Sequence, residues 1–436
     1  MQSRLISVTF FLAQVCMPAV AQDNLDSVDR GVAEIRSVPM NLSWTQVDQS
    51  RRPEILELLL TQTKGNFEKI RTWQGSYSFQ VMQYLSPAFV ADSFSNRLPT
   101  DQNIALRQEL TFDLGFAIDV TGNRLFLKRT SQPIRYLQVS SDMEVVIPGT
   151  SLSNMNSVVT EEQYLYVYPD QKATYAVLPD HPEARRKRAA HKVPREQAEG
   201  NERGDVQDPR NFFRGMNDKF VWGNLDAFLS ALRDPKGHPN KSAEGMVIDQ
   251  ADDGGQFWYR LRNPLENADG STTTLTSIWS PHAGYNLVQL TFSAKDAAKP
   301  PARILELRWK PFNDIFIPST VREVWRLEST GVITFQRDAT LKQCSVNDPI
   351  KPDQFDYRGL GLVDGDLVLD EIEEVVYKIE QGEPVKLANF GEGYVPPIGE
   401  RLAKNAPSFR WLMIAATLAI IAVLLVLIWR RRTAGV

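Results

Sequence analysis

The sequence has little cysteine and little histidine, and it lacks the short motifs that identify common catalytic sites. Its 436 residues contain two cysteines and four histidines. A Gly-x-Ser-x-Gly turn, a His-Glu-x-x-His pair, a phosphate loop and a dinucleotide fingerprint are all missing. The spacings of the histidines suit no metal site. We therefore expect no enzymatic activity, no catalytic residue, no metal ion and no cofactor.

Two weaker candidates for catalysis lie in predicted loops. His282 occupies a predicted turn between two strands, where it is either a histidine in water or a catalytic base. Asp252 and Asp253 form a pair of carboxylates, but Gly254 and Gly255 directly after them indicate a hairpin loop.

A strong charge imbalance is also missing. The chain has 49 Lys and Arg residues against 53 Asp and Glu residues, a formal net charge of -4, so it has no general attraction for nucleic acid. Cys344 is the one cysteine outside residues 1–21, which have the pattern of a signal peptide. This excludes an intrachain disulfide and leaves two alternatives, a buried inert thiol or a link between two chains. A hydrophobic content of 42% permits a core that is stable without disulfides.

Long uncharged runs are scarce, and the one that exists is residues 411–429, which Arg430, Arg431 and Arg432 follow directly. A bilayer core of about 30 Å needs about 20 apolar residues of helix. The run therefore predicts a single-pass transmembrane helix, with residues 430–436 as a short cytoplasmic tail. A buried core helix is the alternative, although such helices rarely lack a polar face over this length.

Residues 1–21 have the pattern of a secretory signal peptide. Arg4 lies in a short basic start, residues 5–12 are apolar, and residues 19–21 (Ala-Val-Ala) form a small-x-small cleavage site. Cleavage at this site predicts a cell-membrane protein whose ectodomain lies in the periplasm or the extracellular space. An uncleaved N-terminal anchor is the alternative.

Alternation of polar and apolar residues dominates the chain between these ends. Tyr77, Phe79 and Val81 share one side of a predicted strand. Helical spacing of apolar residues predicts amphipathic helices at residues 54–63 and 225–232. Further strands are predicted at residues 109–120, 124–128, 135–139, 163–168, 173–178, 245–249, 256–262, 272–279, 285–293, 302–309, 315–325 and 332–339. This succession predicts an α+β fold with helices on one face of a large antiparallel sheet.

The patterns also divide the chain into segments. Residues 22–50 are a leader with little periodicity, residues 51–345 form the β-rich domain, residues 346–395 form a small β-hairpin unit, and residues 396–410 are a stalk rich in proline and polar residues. Residues 181–214 interrupt the large domain as a charged insertion, which is expected to be solvated or disordered.

Two charged clusters remain open to more than one interpretation. Residues 185–188 read Arg-Arg-Lys-Arg, either a solvated basic cluster or a contact for anionic headgroups or an acidic partner. The acidic residues of the small unit either form a solvated face or bind calcium, although their spacing is not that of an EF-hand. The second cluster consists of Asp364, Asp366, Asp370, Glu371, Glu373 and Glu374. Asp364 and Gly365 between apolar residues also predict a tight hairpin turn.

Several segments follow one another in a familiar order. A helix leads into Gly-Ser-Tyr-Ser-Phe at residues 75–79, Phe-Leu-Lys follows at 126–128, Tyr-Leu-Tyr-Val-Tyr-Pro at 164–169, and a helix at 225–232. Residues 309–321 (Trp-Lys-Pro-Phe-Asn-Asp-Ile-Phe-Ile-Pro-Ser-Thr-Val) add a strand pair near the end.

This order resembles the LolA/LolB lipoprotein-carrier fold over residues 53–344. The resemblance implies a curved antiparallel sheet that wraps two or three helices and leaves an apolar cavity for acyl chains. Larger relatives of the RseB type pair such a domain with a second one and regulate a membrane protein. A tethered chain does not shuttle across a compartment, so carriage of lipoproteins does not follow from the resemblance.

We consider three functions. The first is a membrane-anchored extracytoplasmic binding protein that holds a membrane lipid or an acylated protein in an apolar groove. The second is a non-enzymatic sensor or assembly factor that binds another membrane protein through the basic cluster or an exposed sheet edge. The third is a hydrolase whose site has no recognisable motif. The predicted wall of the groove, where ordinary core packing is the alternative for each residue, consists of Phe79, Phe112, Phe126, Tyr166, Phe228, Trp258 and Trp279.

Overall fold

The computed structural model describes most of the chain between residues 38 and 389. The described residues are 38–39, 41–94, 104–139, 142–147, 154–160, 162–169, 188–195, 209, 221–237, 242–266, 272–294, 300–327 and 331–389. They contain helices α1 (Arg52–Glu68), α2 (Pro87–Phe94), α3 (Val221–Arg233) and the single turn α4 (Ser242–Gly245).

Eighteen strands are present in these residues. They are β1 (Thr45–Gln46), β2 (Thr72–Leu85), β3 (Leu106–Asp119), β4 (Arg124–Ser131), β5 (Arg135–Gln138), β6 (Met155–Val159), β7 (Gln163–Val167), β8 (Ala189–Pro194), β9 (Val247–Asp253), β10 (Gln256–Glu266), β11 (Thr272–Ser280), β12 (Asn286–Ala294), β13 (Arg303–Phe312), β14 (Ile315–Arg326), β15 (Ile333–Val346), β16 (Leu367–Asp370), β17 (Val375–Glu380) and β18 (Glu383–Asn389).

The strands form one large open sheet. Their pairings give the order β1, β9 to β15, β2, β3, β4, β6, β7, β8, β16, β17 and β18, and β5 pairs with β3 beside β4. The pairing of β16 with β8 is parallel, and the other pairings between the described strands are antiparallel. This result confirms the large antiparallel sheet with few helices.

Two helices cover one face of the sheet, which we call the inner face. Ile55 and Leu59 of α1 and Leu225 and Leu229 of α3 are buried in one core with inner-face side chains such as Val321. α1 contacts α3, β12 and β14. The apolar residues of α1 recur three or four positions apart, which places them on one side of the helix. Both predicted helices are confirmed, and α1 extends beyond residues 54–63 at both ends.

A side-chain amide fixes the C-terminal half of α1 to the sheet. Asn66 donates from Nδ2 to the carbonyl of Phe316 (2.9 Å), and its Oδ1 accepts the Phe316 N–H (2.7 Å). Asn66 is buried, so this pair of bonds satisfies both ends of an amide that would be costly to bury alone. The helix is thereby held in a defined register over β14.

A second, smaller core lies on the opposite face, which we call the outer face. Phe355 and Leu360, from the segment between β15 and β16, pack over Phe126, Val158 and Leu165. The guanidinium of Arg124 lies 4.7 Å from the centre of the Phe355 ring. This segment therefore covers β4, β6 and β7 on the side away from α1 and α3.

β8 lies inside the segment that the sequence predicts as a solvated insertion. Ala190, His191 and Val193 are buried, and β8 pairs with β7 on one side and β16 on the other. The structure differs here from the interpretation of residues 181–214, because a short alternating stretch gains two partner strands, one of them distant in sequence.

The small β unit at residues 346–395 is joined to the main sheet. Its strands β16, β17 and β18 continue the sheet through the parallel pairing of β16 with β8. The predicted Asp364-Gly365 hairpin turn is wrong, since these residues precede β16 and the Gly365 N–H donates to the Ile379 carbonyl (2.7 Å). The turn between β16 and β17 is instead made by residues 371–374, three of them acidic.

The end of the predicted leader also belongs to the sheet. β1 pairs with β9, and the Val47 N–H donates to the Ile248 carbonyl (2.9 Å). The Arg260 guanidinium lies 4.5 Å from the centre of the Trp44 ring. Residues 41–50 thus belong to the edge of the folded sheet, although the sequence predicts them as the end of a leader outside the β-rich domain.

Several predicted segments lie outside the residues that the structure describes. The signal peptide, the strand at 173–178, the basic residues 185–187, the stalk and the apolar run 411–429 are all among them. Within the described ranges no helix has the length and apolar character to cross a membrane.

Candidate functional site

An aromatic strip runs along the inner face on β2 and β3. The ring centres of Trp73 and Phe116 are 5.0 Å apart, and those of Phe116 and Tyr77 are 5.7 Å apart. Tyr77 continues to Phe79 at 6.2 Å, and Phe79 stacks on Phe112 at 4.7 Å. These distances are those of interacting aromatic pairs. Five rings therefore form one continuous, buried surface, which we call the aromatic strip.

The strip follows from the two-residue period of the strands. Trp73, Tyr77 and Phe79 occupy alternate positions of β2 and so point to one face. Phe79 pairs directly with Phe112 across the antiparallel ladder, which brings the two rings together. The strip extends about 20 Å along β2.

Of the seven residues in the predicted wall, Phe79 and Phe112 lie in the strip, and Trp279 lies elsewhere on the inner face. Trp279 pairs with Tyr259 across β10 and β11, and its Nε1 donates to Ser277 (2.9 Å). Phe228 of α3 packs partly buried against the same core. The structure thus places these four side chains around one core, and whether they line a groove stays a prediction.

Phe126 lies on the outer face. It pairs with Ala117, whereas the neighbouring Leu127 pairs with Phe116 of the strip. Since adjacent residues of a strand point to opposite faces, Phe126 points away from the strip. It packs instead under Phe355, so it does not share a wall with Phe112.

Trp258 adjoins Tyr259, the residue that pairs with Trp279, and it is buried in the same core cluster as Trp279, Phe79 and Phe112. Trp258 is buried, and its Nε1 donates to Asp253 (3.1 Å). The same Asp253 oxygen lies 2.9 Å from His282 Nε2. Both hydrogen bonds hold the pKa of Asp253 below its usual range. His282 and Asp253 are exposed, so the arrangement ties a surface turn to the strand below it.

Tyr166 lies on the inner face at its far end. Its ring stacks on His191 (5.0 Å between centres) and on Tyr164 (5.1 Å). His191 Nδ1 is 3.5 Å from Glu371. This group is reached from the strip through β4 and β6, so Tyr166 is placed on the predicted face but at a distance from Phe79.

One residue of the acidic cluster at residues 364–374, Asp370, forms hydrogen bonds that hold the fold together. Asp370 is buried, its Oδ2 accepts from Lys192 Nζ (2.6 Å), and its Oδ1 accepts the N–H groups of Ile372 and Glu373 (3.0 Å each). The carboxylate therefore shapes the β16–β17 turn. Among the residues that the structure describes, no group of three His, Cys, Asp or Glu side chains is placed to hold a metal ion.

A charged cluster on the inner face was missed by the sequence analysis. Glu323 of β14 lies between two arginines, 2.6 Å from Arg303 Nη2 and 2.8 Å from Arg337 Nη2. Its side chain is 5% exposed. Trp325 Nε1 also donates to Glu323 (2.8 Å), and the Arg303 guanidinium lies 4.9 Å from the centre of the Trp325 ring.

Burial and the two arginines act in opposite directions on Glu323. Burial raises the pKa of this carboxyl, but the charges of Arg337 and Arg303 outweigh it, so the pKa lies below the usual glutamate range. Glu323 is thus ionised at neutral pH. The sequence does carry a signal for it, since Glu323 falls between Val321 and Trp325 at the apolar phase of its strand.

Comparison with known proteins gives loose structural matches. No family model and no curated protein matches the sequence. An outer membrane lipoprotein-sorting protein domain from Vibrio parahaemolyticus matches with 11% identity and a TM-score of 0.23, over 70% of this chain and 100% of that one. A DUF1329 family protein from Desulfovibrio piger ATCC 29098 matches with 8% identity and a TM-score of 0.27, over 72% and 100%.

A structure of lipovitellin, described for its lipid–protein interactions, matches with 11% identity and a TM-score of 0.24, over 65% of this chain and 26% of that one. The LolA-like resemblance of the sequence is therefore present at this loose level. Matches with such TM-scores carry no weight for function.

Proposed function

We propose that this chain is a lipid-binding protein that holds an acyl chain against the aromatic strip, without catalysing a reaction. The observation that carries the proposal is the strip itself, five contacting rings on the inner face of β2 and β3. Aromatic faces present a large apolar area to a ligand.

The position of the strip supports this proposal. α1 packs over β12 and β14, and one strand, β15, lies between β14 and β2, the first strand of the strip. The strip shares its buried core with Ile55 and Leu59 of α1, so an acyl chain bound there would lie in the core that this helix covers. The strip is buried in this state, so a ligand enters by displacing the side chains that cover it.

The setting of this activity is part of the proposal. Residues 411–429 would anchor the chain in the cell membrane, with the sheet in the periplasm or the extracellular space. A binding protein held at a bilayer would take its acyl chain from that bilayer or from an acylated protein attached to it.

Photocrosslinking tests the proposal on the full chain. The protein is incorporated into vesicles that contain a phospholipid with a photoactivatable group in its acyl chain, and the crosslinked peptides are identified by mass spectrometry. We expect crosslinks in the peptides of β2 and β3 in addition to residues 411–429. Crosslinks confined to residues 411–429 would show a membrane anchor without a lipid site and would refute the proposal.

A further inference from the structure

Exposed apolar side chains gather at one end of the sheet. Ten large hydrophobic side chains are exposed in the described part of the chain, and six of them lie in two segments there. One segment follows β5, and the other consists of the end of β14 and the described residues between β14 and β15. We call these six residues the apolar rim: Val139, Met143, Val146, Trp325, Leu327 and Val332.

The strand pairings place both segments at the same level. Gln138 of β5 pairs with Leu106 of β3, and Leu106 pairs with Leu85 of β2. On the other side Gln83 of β2 pairs with Phe335 of β15. The two segments are therefore separated by three inter-strand steps, about 15 Å.

Hydrogen bonds hold the rim in an ordered shape. The Gln138 N–H donates to the Met143 carbonyl (2.8 Å), and the Val145 N–H donates to the Tyr136 carbonyl (2.7 Å). The Leu327 N–H donates to the Val332 carbonyl (2.9 Å). Met143 and Val146 nevertheless remain 63% and 83% exposed. Exposed apolar side chains grouped beside hydrogen-bonded backbone indicate an interaction surface rather than a packing defect.

The rim is continuous with the inner face. Trp325 belongs to the rim, and its ring centre lies 6.0 Å from that of Phe335. Trp325 also contacts Arg303, one of the two arginines that pair with Glu323. A lipid that moves between a bilayer and the inner face at this end would cross apolar and aromatic side chains.

The described ion pairs beside the rim join two arginines to three carboxylates. Arg107 pairs with Asp142 (3.1 Å) and Glu109 (3.0 Å), and Arg135 lies 3.9 Å from Glu144. The rim therefore has no surplus of positive charge to attract anionic lipid headgroups. Separate apolar tips between such ion pairs suit shallow insertion into the bilayer interface, driven by burial of apolar area.

We propose that the apolar rim docks on a lipid bilayer by inserting Met143, Val146, Leu327 and Val332 into its interface. This surface is distinct from the acyl site proposed above, and docking requires no ligand in that site. It is also distinct from residues 411–429, which would hold the chain near a membrane in any orientation.

A fluorescent label on the full chain tests the docking. A cysteine replaces Met143 (Met143→Cys) and carries an environment-sensitive dye, and the chain is incorporated into phosphatidylcholine vesicles with or without a lipid-borne quencher. The matched control is Val363→Cys, an exposed residue in the segment before β16. We expect a blue shift and quenching at position 143 and an aqueous spectrum at position 363.

One further variant and one change of lipid composition complete the test. Val146→Asp should abolish the blue shift at position 143, and replacing part of the phosphatidylcholine by an anionic lipid should leave the shift unchanged. An aqueous spectrum at both positions, equal quenching at both, or a shift that appears with anionic lipid alone would each overturn the proposal. Acyl crosslinks in β2 and β3 with an aqueous label at 143 would leave the lipid-binding function standing and remove the docking rim.

Discussion

Phe112 and Phe126 lie on opposite faces of one sheet, although both are buried aromatic residues on neighbouring strands. Phe112 pairs with Ser131 and Phe126 pairs with Ala117, in an antiparallel ladder without a register shift. Phe112 stacks on Phe79 inside the aromatic strip, whereas Phe126 packs against the outer segment that contains Phe355. A ligand bound to the aromatic strip would therefore contact Phe112 and not Phe126.

This relation gives a matched pair of variants. Phe112→Ala should sharply reduce acyl crosslinking of β2 and β3, while Phe126→Ala should leave the yield unchanged. Both changes create a cavity and should cost about 3–5 kcal/mol of unfolding free energy. Urea unfolding measures that cost and makes each variant the stability control for the other. Equal losses of crosslinking in both would mean that the yield follows stability rather than contact with lipid.

Glu323 should contribute strongly to stability. Glu323→Gln removes the one carboxylate that Arg303 and Arg337 share. Breaking a buried charge pair in this way costs about 3–5 kcal/mol. The measurement is urea unfolding at pH 7. Glu306→Gln on the same sheet is the control, with an expected change within about 0.5 kcal/mol. A cost for Glu323→Gln no larger than the control would contradict the role assigned to the cluster.

The same carboxyl should make stability depend on acid pH. Its pKa in the folded protein lies below the ordinary glutamate value, which is about 4.3 in an unfolded chain. Its contribution is therefore fully present above that value and is lost as the pH falls through the lower folded pKa. The difference in unfolding free energy between wild type and Glu323→Gln should narrow as the pH falls from 5 towards 3, roughly the range in which such a carboxyl is protonated. If the difference in unfolding free energy stayed constant over this pH range, the prediction would be wrong, because Glu323 would then not gain a proton there.

Arg188 is the one described member of the basic cluster, and it is bound within the fold. Its Nη2 lies 2.5 Å from Asp366, whose side chain is 5% exposed, and it also donates to the Gly361 carbonyl (3.1 Å). Arg188→Ala should destabilise the protein by about 1–3 kcal/mol, because it leaves a buried carboxylate without its cationic partner. Thermal or urea unfolding measures this, with the exposed Arg51→Ala as control.

The structural role of Arg188 determines which basic residues can be changed in a test of the sensor or assembly hypothesis. A test of partner binding through the basic cluster should neutralise Arg185, Arg186 and Lys187 and leave Arg188 in place. Loss of a crosslinked membrane partner in that triple variant, with unfolding unchanged, would favour the sensor hypothesis over lipid binding. Unchanged stability in Arg188→Ala would instead show that the ion pair to Asp366 is dispensable.

Local patterns predicted most elements of the fold but not their long-range partners. The strand at residues 315–325 and the helix at 225–232 were predicted because their periods are visible in one short stretch. β8 was missed because its burial depends on β16, which pairs with it from far along the chain. α2 was also missed, and its buried residues Val90 and Phe94 pack in a separate small core with Tyr136.

The candidate site was predicted only in part, for a related reason. Composition identifies Phe79, Phe112 and Phe126 equally well as large apolar residues. Their division between two faces depends on strand register, which the turns set and which a single-residue shift would reverse. Asn123 adopts a left-handed conformation with φ of 47° in the β3–β4 turn, and that turn fixes which face Phe126 occupies.

Cys344 should be chemically inert in the folded protein. Burial raises the pKa of its thiol to about 12, so the nucleophilic thiolate is scarce at neutral pH. Alkylation at pH 7.5, read by mass spectrometry of the peptide that contains Cys344, should be negligible in the folded chain and complete in urea. Met143→Cys provides an exposed thiol that should react promptly under the same conditions. Rapid alkylation of Cys344 in the folded protein would restore the alternative that this thiol links two chains, because that link requires an accessible thiolate.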